Sequence, residues 1–332
     1  MNNVPWVDKY RPNKLEDIVH QDEIIKTLQN TIKTGQIPHL LFYGPPGTGK
    51  TSSMLAIARE LFGPKIMRER IIELNASDER GINVVRKKIC TFAKTSLSSK
   101  DPKYPCPPYK LVILDEADAM TTEAQSALRK IMEDYSLTTR FCFICNYKNQ
   151  IIEPIISRCM KFRFKPIENQ AMTSKLFSIA EQEQININEE CINAITMIAK
   201  GDIRKAIIIL QNLSYLIKYK EQVSKKDVYE ITGYVDPDVL NSLFEKCIDK
   251  NIDVNHIVDG ANKLKAKALP VNYILLHLQD FVINKINDDQ KKSLICKQLA
   301  NTEKKIVDGS DEYMQILNIL LFVNLTVKNK TR

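Results

Sequence analysis

The stretch GPPGTGKT, Gly44 to Thr51, follows the apolar run HLLFY (39 to 43) and opens a helical pattern. That context is what a phosphate-cradling GxxxxGK[ST] loop requires. The glycines let the backbone approach a ligand closely, and the amide groups and helix N-terminus receive phosphate charge. Lys50 is positioned to reach the β and γ phosphates, and the Thr51 hydroxyl to bind Mg²⁺. Gly44, Pro45, Pro46, Gly47, Thr48, Gly49, Lys50 and Thr51, with Ser52 after them, are therefore the candidate nucleotide-binding set. A strand that runs into such a loop and then into a helix predicts a parallel α/β sheet.

Outward from the loop, the first half repeats the alternation. Candidate strands are IIEL (71 to 74), LVILD (111 to 115), FCFIC (141 to 145) and MKFRF (160 to 164). Thr122 with Gln125 reads as a capping box opening a helix to about Tyr135, with Ala124, Leu128, Ile131 and Tyr135 on one stripe. The Ser- and Pro-rich residues 97 to 109 read as a loop.

LVILDEAD supplies the partner of the phosphate loop. Four apolar residues end in Asp115, placed to hold Mg²⁺, and Glu116 follows, placed to polarise an attacking water. The alternative is an acidic turn after a core strand. Asn146 ends the next apolar strand, so it falls at the same sheet edge and suits a contact to the γ-phosphate; a strand-ending turn Asn is the bland reading.

From Pro166 the pattern is helical throughout. One group of stripes, 169 to 217, is closed by SKKDVYEIT and Gly233; a second follows from Pro237, with apolar faces in VLNSLFEKCI, VNYILLHLQDFVI and EYMQILNILLFVNLTV. Asp202 reads as an N-cap, which leaves Arg204 just inside a helix and off its apolar stripe. There it is either a γ-phosphate sensor or a solvated cation.

Arg158 in IISRC has a different position. QIIEPIIS reads as a two-turn helix with Pro154 early in it, which at about 1.5 Å per residue carries the chain on the order of 10 Å from the catalytic edge. Acting in hydrolysis, Arg158 would act in trans, as an arginine finger at a neighbouring subunit's site. The alternative is a helix-end cation satisfying the dipole.

Composition bounds the rest. With 332 residues, 44% apolar and 27% charged, the chain reads as an ordinary soluble globular protein of two or three domains. It carries no apolar run of about 18 residues, and MNNVPWVDKYRP lacks an apolar leader core, so neither a membrane span nor a cleaved signal is expected. Eight irregularly spaced cysteines suit a reducing compartment. The CxxC of Cys142 and Cys145 lies in a strand-like run, where residues three apart face opposite ways, and reads as core thiols. Residues 1 to 165 hold 26 Lys+Arg against 18 Asp+Glu, so the whole net charge of +8 belongs to the first half. Arg80 to Lys103 alone carries seven basic residues and one acid, which suggests either a polyanionic partner or a solvated face.

The phrases PWVDKYRP, GPPGTGKT, ELNASDERGI, LVILDEAD, ICN, IISRC and GDIRKAI, in this order, resemble the small subunits of replication factor C, a clamp loader within the AAA+ ATPases. LFGP, CPPYKLVILDEAD and IIEPIISRCMKFRFKP are most similar to the group numbered four in animals and two in yeast. The resemblance implies an α/β P-loop NTPase domain with a RecA-like parallel sheet over 1–165, an all-α lid over 166–233 and an all-α collar for oligomerisation over 234–332. It implies a nuclear, heteropentameric assembly with other replication factor C subunits that uses ATP and Mg²⁺ to open the sliding clamp, PCNA, and load it on primer-template DNA. Carried over by residue, it gives Val7 and Val19 to the adenine pocket. Asn146 and Arg204 become the two nucleotide sensors, and Arg158 the trans finger. Arg80, Arg86 and Lys87 become DNA-backbone contacts. A different AAA+ engine and a nucleotide-binding scaffold remain as other readings.

Overall fold

The computed structural model describes residues 4–76, 82–95, 101–217, 219–220, 223–249, 251–267 and 269–328. By its internal contacts the chain divides into two units, Met1–Tyr219 and Lys220–Arg332.

The first unit opens with α1 (Trp6–Lys9), α2 (Asp22–Thr34), β1 (His39–Tyr43), α3 (Lys50–Arg70), β2 (Ile71–Asn75), α4 (Ile82–Lys94) and β3 (Lys110–Asp115). It continues through α5 (Thr122–Asp134), β4 (Thr139–Cys145), α6 (Glu153–Ile156) and β5 (Cys159–Arg163) to three further helices, α7 (Asn169–Gln182), α8 (Glu189–Ala199) and α9 (Ile203–Ile217).

The apolar runs pair into one five-stranded parallel sheet in the order β2-β3-β4-β1-β5. Both faces of the sheet are covered, which explains why the inner strands β1, β3 and β4 are largely apolar rather than alternating, while the edge strands β2 and β5 keep exposed residues. On one face Leu40, Phe42, Leu111, Ile113 and Ile144 pack with Leu28 of α2 and with Met54, Ile57 and Leu61 of α3. On the other, Leu41, Val112, Leu114, Phe141 and Phe143 pack with Ile89 of α4 and with Leu128, Ile131 and Met132 of α5. Each fully buried side chain of this kind contributes about 1.5–3 kcal/mol. Cys142 belongs to the first cluster and Cys145 to the second, so the CxxC straddles the sheet as two buried thiols. Burial pushes the Cys145 thiol up to about 12, away from nucleophilic or ligand chemistry.

Two local expectations need correcting. Thr121, not Thr122, is the N-cap of α5: its backbone is extended and its Oγ1 accepts from Ala124 N at 3.3 Å. Gln125 makes no capping box. Its side chain is 1% exposed and ties down the chain across from it, donating to Gln150 O (2.9 Å) and accepting from Ile152 N (2.8 Å). QIIEPIIS is not a two-turn helix: in one starting at Gln150, Pro154 would be the fifth residue, without an N–H for the bond to the Gln150 carbonyl and in steric conflict with it. Ile152 is extended as the residue before the helix, and α6 is a single turn with Pro154 in its first positions, where a proline is tolerated.

Helices α7 to α9 bury Met172, Leu176, Ile192, Ile195, Leu210 and Leu213. Asp202 caps α9 as expected, its Oδ1 accepting from Arg204 N (2.9 Å) and Lys205 N (3.1 Å).

The second unit holds α10 (Lys225–Thr232), α11 (Pro237–Ile248), α12 (Val254–Ala266), α13 (Val271–Lys285), α14 (Asp289–Val307) and α15 (Glu312–Lys328). Gly233 ends α10 in the left-handed conformation, at φ 69°. Helices α11 to α15 close one core around Leu240, Phe244, Ile257, Leu278, Val282, Ile295, Ile319 and Leu320. Asn324 is buried in it, and its amide donates to Cys247 O (2.9 Å) and Asp249 O (3.2 Å), satisfying carbonyls at the end of α11. Among the described residues no helix is long and apolar enough to cross a membrane.

Candidate nucleotide-binding and hydrolysis site

The parallel register brings the strand ends together. Asn75 aligns with Asp115, and Tyr43 with Cys145, so the phosphate loop, Glu116 and Asn146 all leave the same edge of the sheet. Ligands of open parallel sheets bind at that carboxyl edge.

The loop is held close to its neighbours. A Cβ at Gly44 would lie 2.2 Å from Phe164 O, and one at Gly47, where φ is 69°, would lie 1.7 Å from Asp202 Oδ1. Ile203 N also donates to Gly47 O at 3.3 Å, so the cap of α9 is seated on the loop itself. Lys50, 8% exposed, donates from Nζ to Gly44 O (2.7 Å), Pro45 O (2.8 Å) and Asn146 Oδ1 (2.9 Å). Burial lowers its pKa, the carboxylates of Asp115 and Asp118 act against that, and the Arg204 guanidinium adds to it. Arg204 is thus close enough for its charge to be felt at Lys50.

Thr51 Oγ1 donates to Asp115 Oδ2 at 2.7 Å, and Asp115 Oδ1 accepts from Glu116 N at 2.9 Å. A hydroxyl and a carboxylate in contact are the hard oxygen donors that suit Mg²⁺, which takes few protein ligands beside phosphate oxygens. Glu116 is exposed and sits at φ 53°, a left-handed conformation uncommon for a residue with a side chain.

Asp118 was not singled out from the sequence. Its Oδ2 accepts from both Asn146 N (2.9 Å) and Tyr147 N (3.1 Å), which joins the turn after β3 to the end of β4. The only signal for it was the final letter of DEAD.

These groups converge on a cleft of about 520 Å³. Its walls include Pro46, Gly47, Thr48, Gly49, Lys50, Thr51 and Ser52 of the loop, together with Asp115, Glu116 and Asn146. Val7, Tyr10, Arg11, Ile18 and Val19 come from the N-terminal segment, and Lys175, Ile203, Arg204 and Ile207 from the helices after the sheet. Gly44 and Pro45 contribute through the carbonyls that bind Lys50. Arg11 Nε lies 3.4 Å from Ser52 Oγ, tying the N-terminal segment to α3.

Arg158 is not among the described residues lining this cleft. Its guanidinium donates to Pro154 O (2.8 Å) and to Glu133 Oε1 (2.7 Å), and Glu133 also takes Arg129 Nε at 3.1 Å. Arg86 and Lys87 are exposed on α4, apart from the cleft; Arg80 lies outside the described residues. Among the described residues no cluster of His, Cys, Asp and Glu suited to a metal is present.

Comparison with known proteins adds to this geometry. The AAA family, "ATPase family associated with various cellular activities", matches residues 40–167, and the replication factor C C-terminal domain matches residues 235–321. Replication factor C subunit 4 of Arabidopsis thaliana is 46% identical over 320 residues, covering 95% of this chain and 93% of its own. Subunit 4 of Homo sapiens is 44% identical over 317 residues (95% and 86%), and subunit 2 of Saccharomyces cerevisiae 42% over 328 residues (96% and 92%). Among solved structures, the RuvB Holliday junction branch migration motor of Thermotoga maritima is similar with a TM-score of 0.55 at 15% identity, covering 75% of this chain and 84% of that one. At that identity the likeness is one of fold.

Proposed function

Because the chain belongs to the replication factor C family of AAA ATPases, we propose that it is an ATP-hydrolysing small subunit of a heteropentameric clamp loader. In this reading it assembles with other replication factor C subunits in the nucleus. There it spends ATP on opening the sliding clamp, PCNA, and seating it on primer-template DNA. Residues 1–165 are its nucleotide-binding domain, 166–233 its lid and 234–332 its collar. The RuvB likeness carries no separate function.

The observation that carries the proposal is the meeting of Lys50, the Thr51–Asp115 bond, Asn146 and Arg204 in one cleft. Lys50 neutralises charge on the β and γ phosphates, and the loop amides hold their oxygens. Thr51 and Asp115 would hold a bound Mg²⁺, which would supply positive charge to offset that of the phosphates. Glu116 orients the attacking water and accepts its proton, and Asn146 aligns that water against the γ-phosphate. Arg204 brings a charge from the lid, so lid position follows the nucleotide. Val7 and Val19 give the base an apolar wall. Arg158 acts on the neighbouring subunit's nucleotide, and Arg80, Arg86 and Lys87 face the DNA backbone.

The test is reconstitution with the other subunits, followed by ATPase measurement with and without primed DNA and the ring clamp. Stimulation by the two together is expected, and Lys50→Ala in this chain should remove this site's share of it. A stable complex whose ATPase ignores both would overturn clamp loading. Failure to co-assemble would overturn the subunit reading.

A further inference from the structure

The N-terminal segment forms one wall of the cleft; Leu15 and Ile18 anchor its later part in the core beside the sheet, but no residue from Val7 to Pro12 is buried. None of the four residues of α1 is buried. A one-turn helix has no independent stability, so what fixes it must be specific contacts, and these converge on the helices after the sheet. Tyr10 Oη donates to Glu183 Oε1 at 2.5 Å, and Lys9 Nζ donates to the same oxygen at 2.5 Å. Trp6 N donates to Gln211 Oε1 at 3.1 Å, and the Trp6 and Tyr10 rings meet edge to face at 6.3 Å.

Of these contacts, the Tyr10–Glu183 bond matters most. The Lys9 side chain is 50% exposed, so its ion pair is weak, whereas Glu183 is 18% exposed and takes the phenol in a charge-assisted bond. Burial alone would raise the Glu183 pKa, but the bonds from Lys9 and Tyr10 leave it lowered, so the carboxylate is the form present at neutral pH. Glu183 follows the end of α7 and is not among the described residues lining the cleft, whereas Val7, Tyr10, Arg11 and Pro12 are. The phosphate end of the cleft is built by the loop at Gly44 to Thr51. The wall from the N-terminal segment places the apolar Val7, Pro12, Ile18 and Val19 beside the polar Asp8, Arg11 and Asp17, and its apolar part suits the flat face of a base.

We propose that Glu183 is a positioning residue for the base-binding wall of the nucleotide cleft: through Tyr10 it fixes the N-terminal segment in the place where a purine packs. The assignment rests on the ATP reading of the cleft and extends it to a residue that touches no ligand. It separates two parts of nucleotide affinity, since phosphate recognition by Lys50 and the loop amides uses no bond to Glu183, while base recognition does.

The test compares ATP with inorganic tripolyphosphate, which has the phosphates and no base, in direct binding to the full chain. Glu183→Ala should weaken ATP by about tenfold, the loss of one charge-assisted bond, and leave tripolyphosphate within about twofold. Glu183→Gln keeps an oxygen that accepts the Tyr10 hydroxyl and should recover most of the ATP affinity. Tyr10→Phe combined with Glu183→Ala should be little worse than Glu183→Ala alone. Equal weakening of both ligands would mean a structural role only and would overturn the proposal. So would unchanged ATP affinity in Glu183→Ala, given a wild-type chain that prefers ATP to tripolyphosphate. A wild-type chain without that preference would overturn the ATP reading itself, and this inference with it.

Discussion

Replacing Arg158 by alanine separates a structural cation from a catalytic one, because the two roles differ by several kcal/mol. The structural loss is small. The guanidinium gives up its bonds to Glu133 Oε1 (2.7 Å) and Pro154 O (2.8 Å) at a surface where the Arg158 and Glu133 side chains are 37% and 42% exposed. An exposed pair contributes about 0.2–1 kcal/mol, and Glu133 keeps its Arg129 partner at 3.1 Å. The chain's own nucleotide loses no contact, since Lys50, Thr51, Asp115 and Asn146 are all held by groups other than Arg158. An arginine finger supplied in trans, by contrast, is worth about 10³–10⁵ in kcat at the site it completes, or roughly 4–7 kcal/mol at 1.36 kcal/mol per decade. The assay is single-turnover hydrolysis in a reconstituted complex in which Arg158→Ala is the only change, paired with ATP binding to the isolated variant. One partner site should fall silent while the others continue, and the isolated chain should bind ATP as wild type does. Loss of its own ATP binding would refute the trans assignment, and full-rate hydrolysis at every site would reduce Arg158 to a surface cation.

Two further outcomes follow from single bonds. Asp118→Ala leaves the amides of Asn146 and Tyr147 without their acceptor, so kcat should fall by about tenfold or more with ATP affinity nearly unchanged. Asp118→Asn, which keeps an acceptor oxygen, should retain most of the rate; a shared loss of affinity would refute the role. In the second unit, Asp227 is lowered to about 2, chiefly by the Lys220 ammonium and also by Ser224. Its folded pKa lies below the unfolded one, so its stabilisation is complete above the unfolded value and lost as pH falls from about 4 through about 2, amounting to at most about 2 kcal/mol. Urea titrations across that window should show wild type losing this increment while Asp227→Ala, already lacking it, changes less.

The convergence of the candidate residues at one sheet edge was legible where covalent spacing alone decides position. Gly44 to Thr51, Asp115 and Asn146 are each tied to the end of an apolar strand, so once the strands are parallel their meeting at one edge follows. The contacts that align them were not legible. Asp118 reaches across to the amides of Asn146, and Gln125 reaches from α5 to Ile152, bonds whose partners are 28 and 27 residues apart in sequence. The segment before Arg158 misled for a local reason. Its apolar residues fit a longer helix, but Pro154 is tolerated only in a first turn, so the helix begins at Glu153. Helix α14 is a case of weak pattern. Over 19 residues only Ile295, Leu299 and Thr302 are buried, too narrow a stripe to stand out among its lysines.

The cleft draws its walls from three parts of the chain, and that arrangement bears on mechanism. The loop and sheet edge contribute Lys50, Asp115 and Asn146, the helices after the sheet contribute Arg204 and Lys175, and the N-terminal segment contributes Val7, Tyr10 and Val19. Direct bonds already join these parts, from Ile203 to Gly47 and from Tyr10 to Glu183. A nucleotide that touches all of them favours the converged arrangement by the difference in its affinity for the converged and parted states, and by no more than that. Loss of the γ-phosphate removes the group that Lys50, Asn146 and Arg204 would share, while the Tyr10–Glu183 bond involves no phosphate. Hydrolysis should therefore loosen the lid from the sheet edge before it loosens the lid from the N-terminal segment, so that the product leaves from a site opened at its phosphate end.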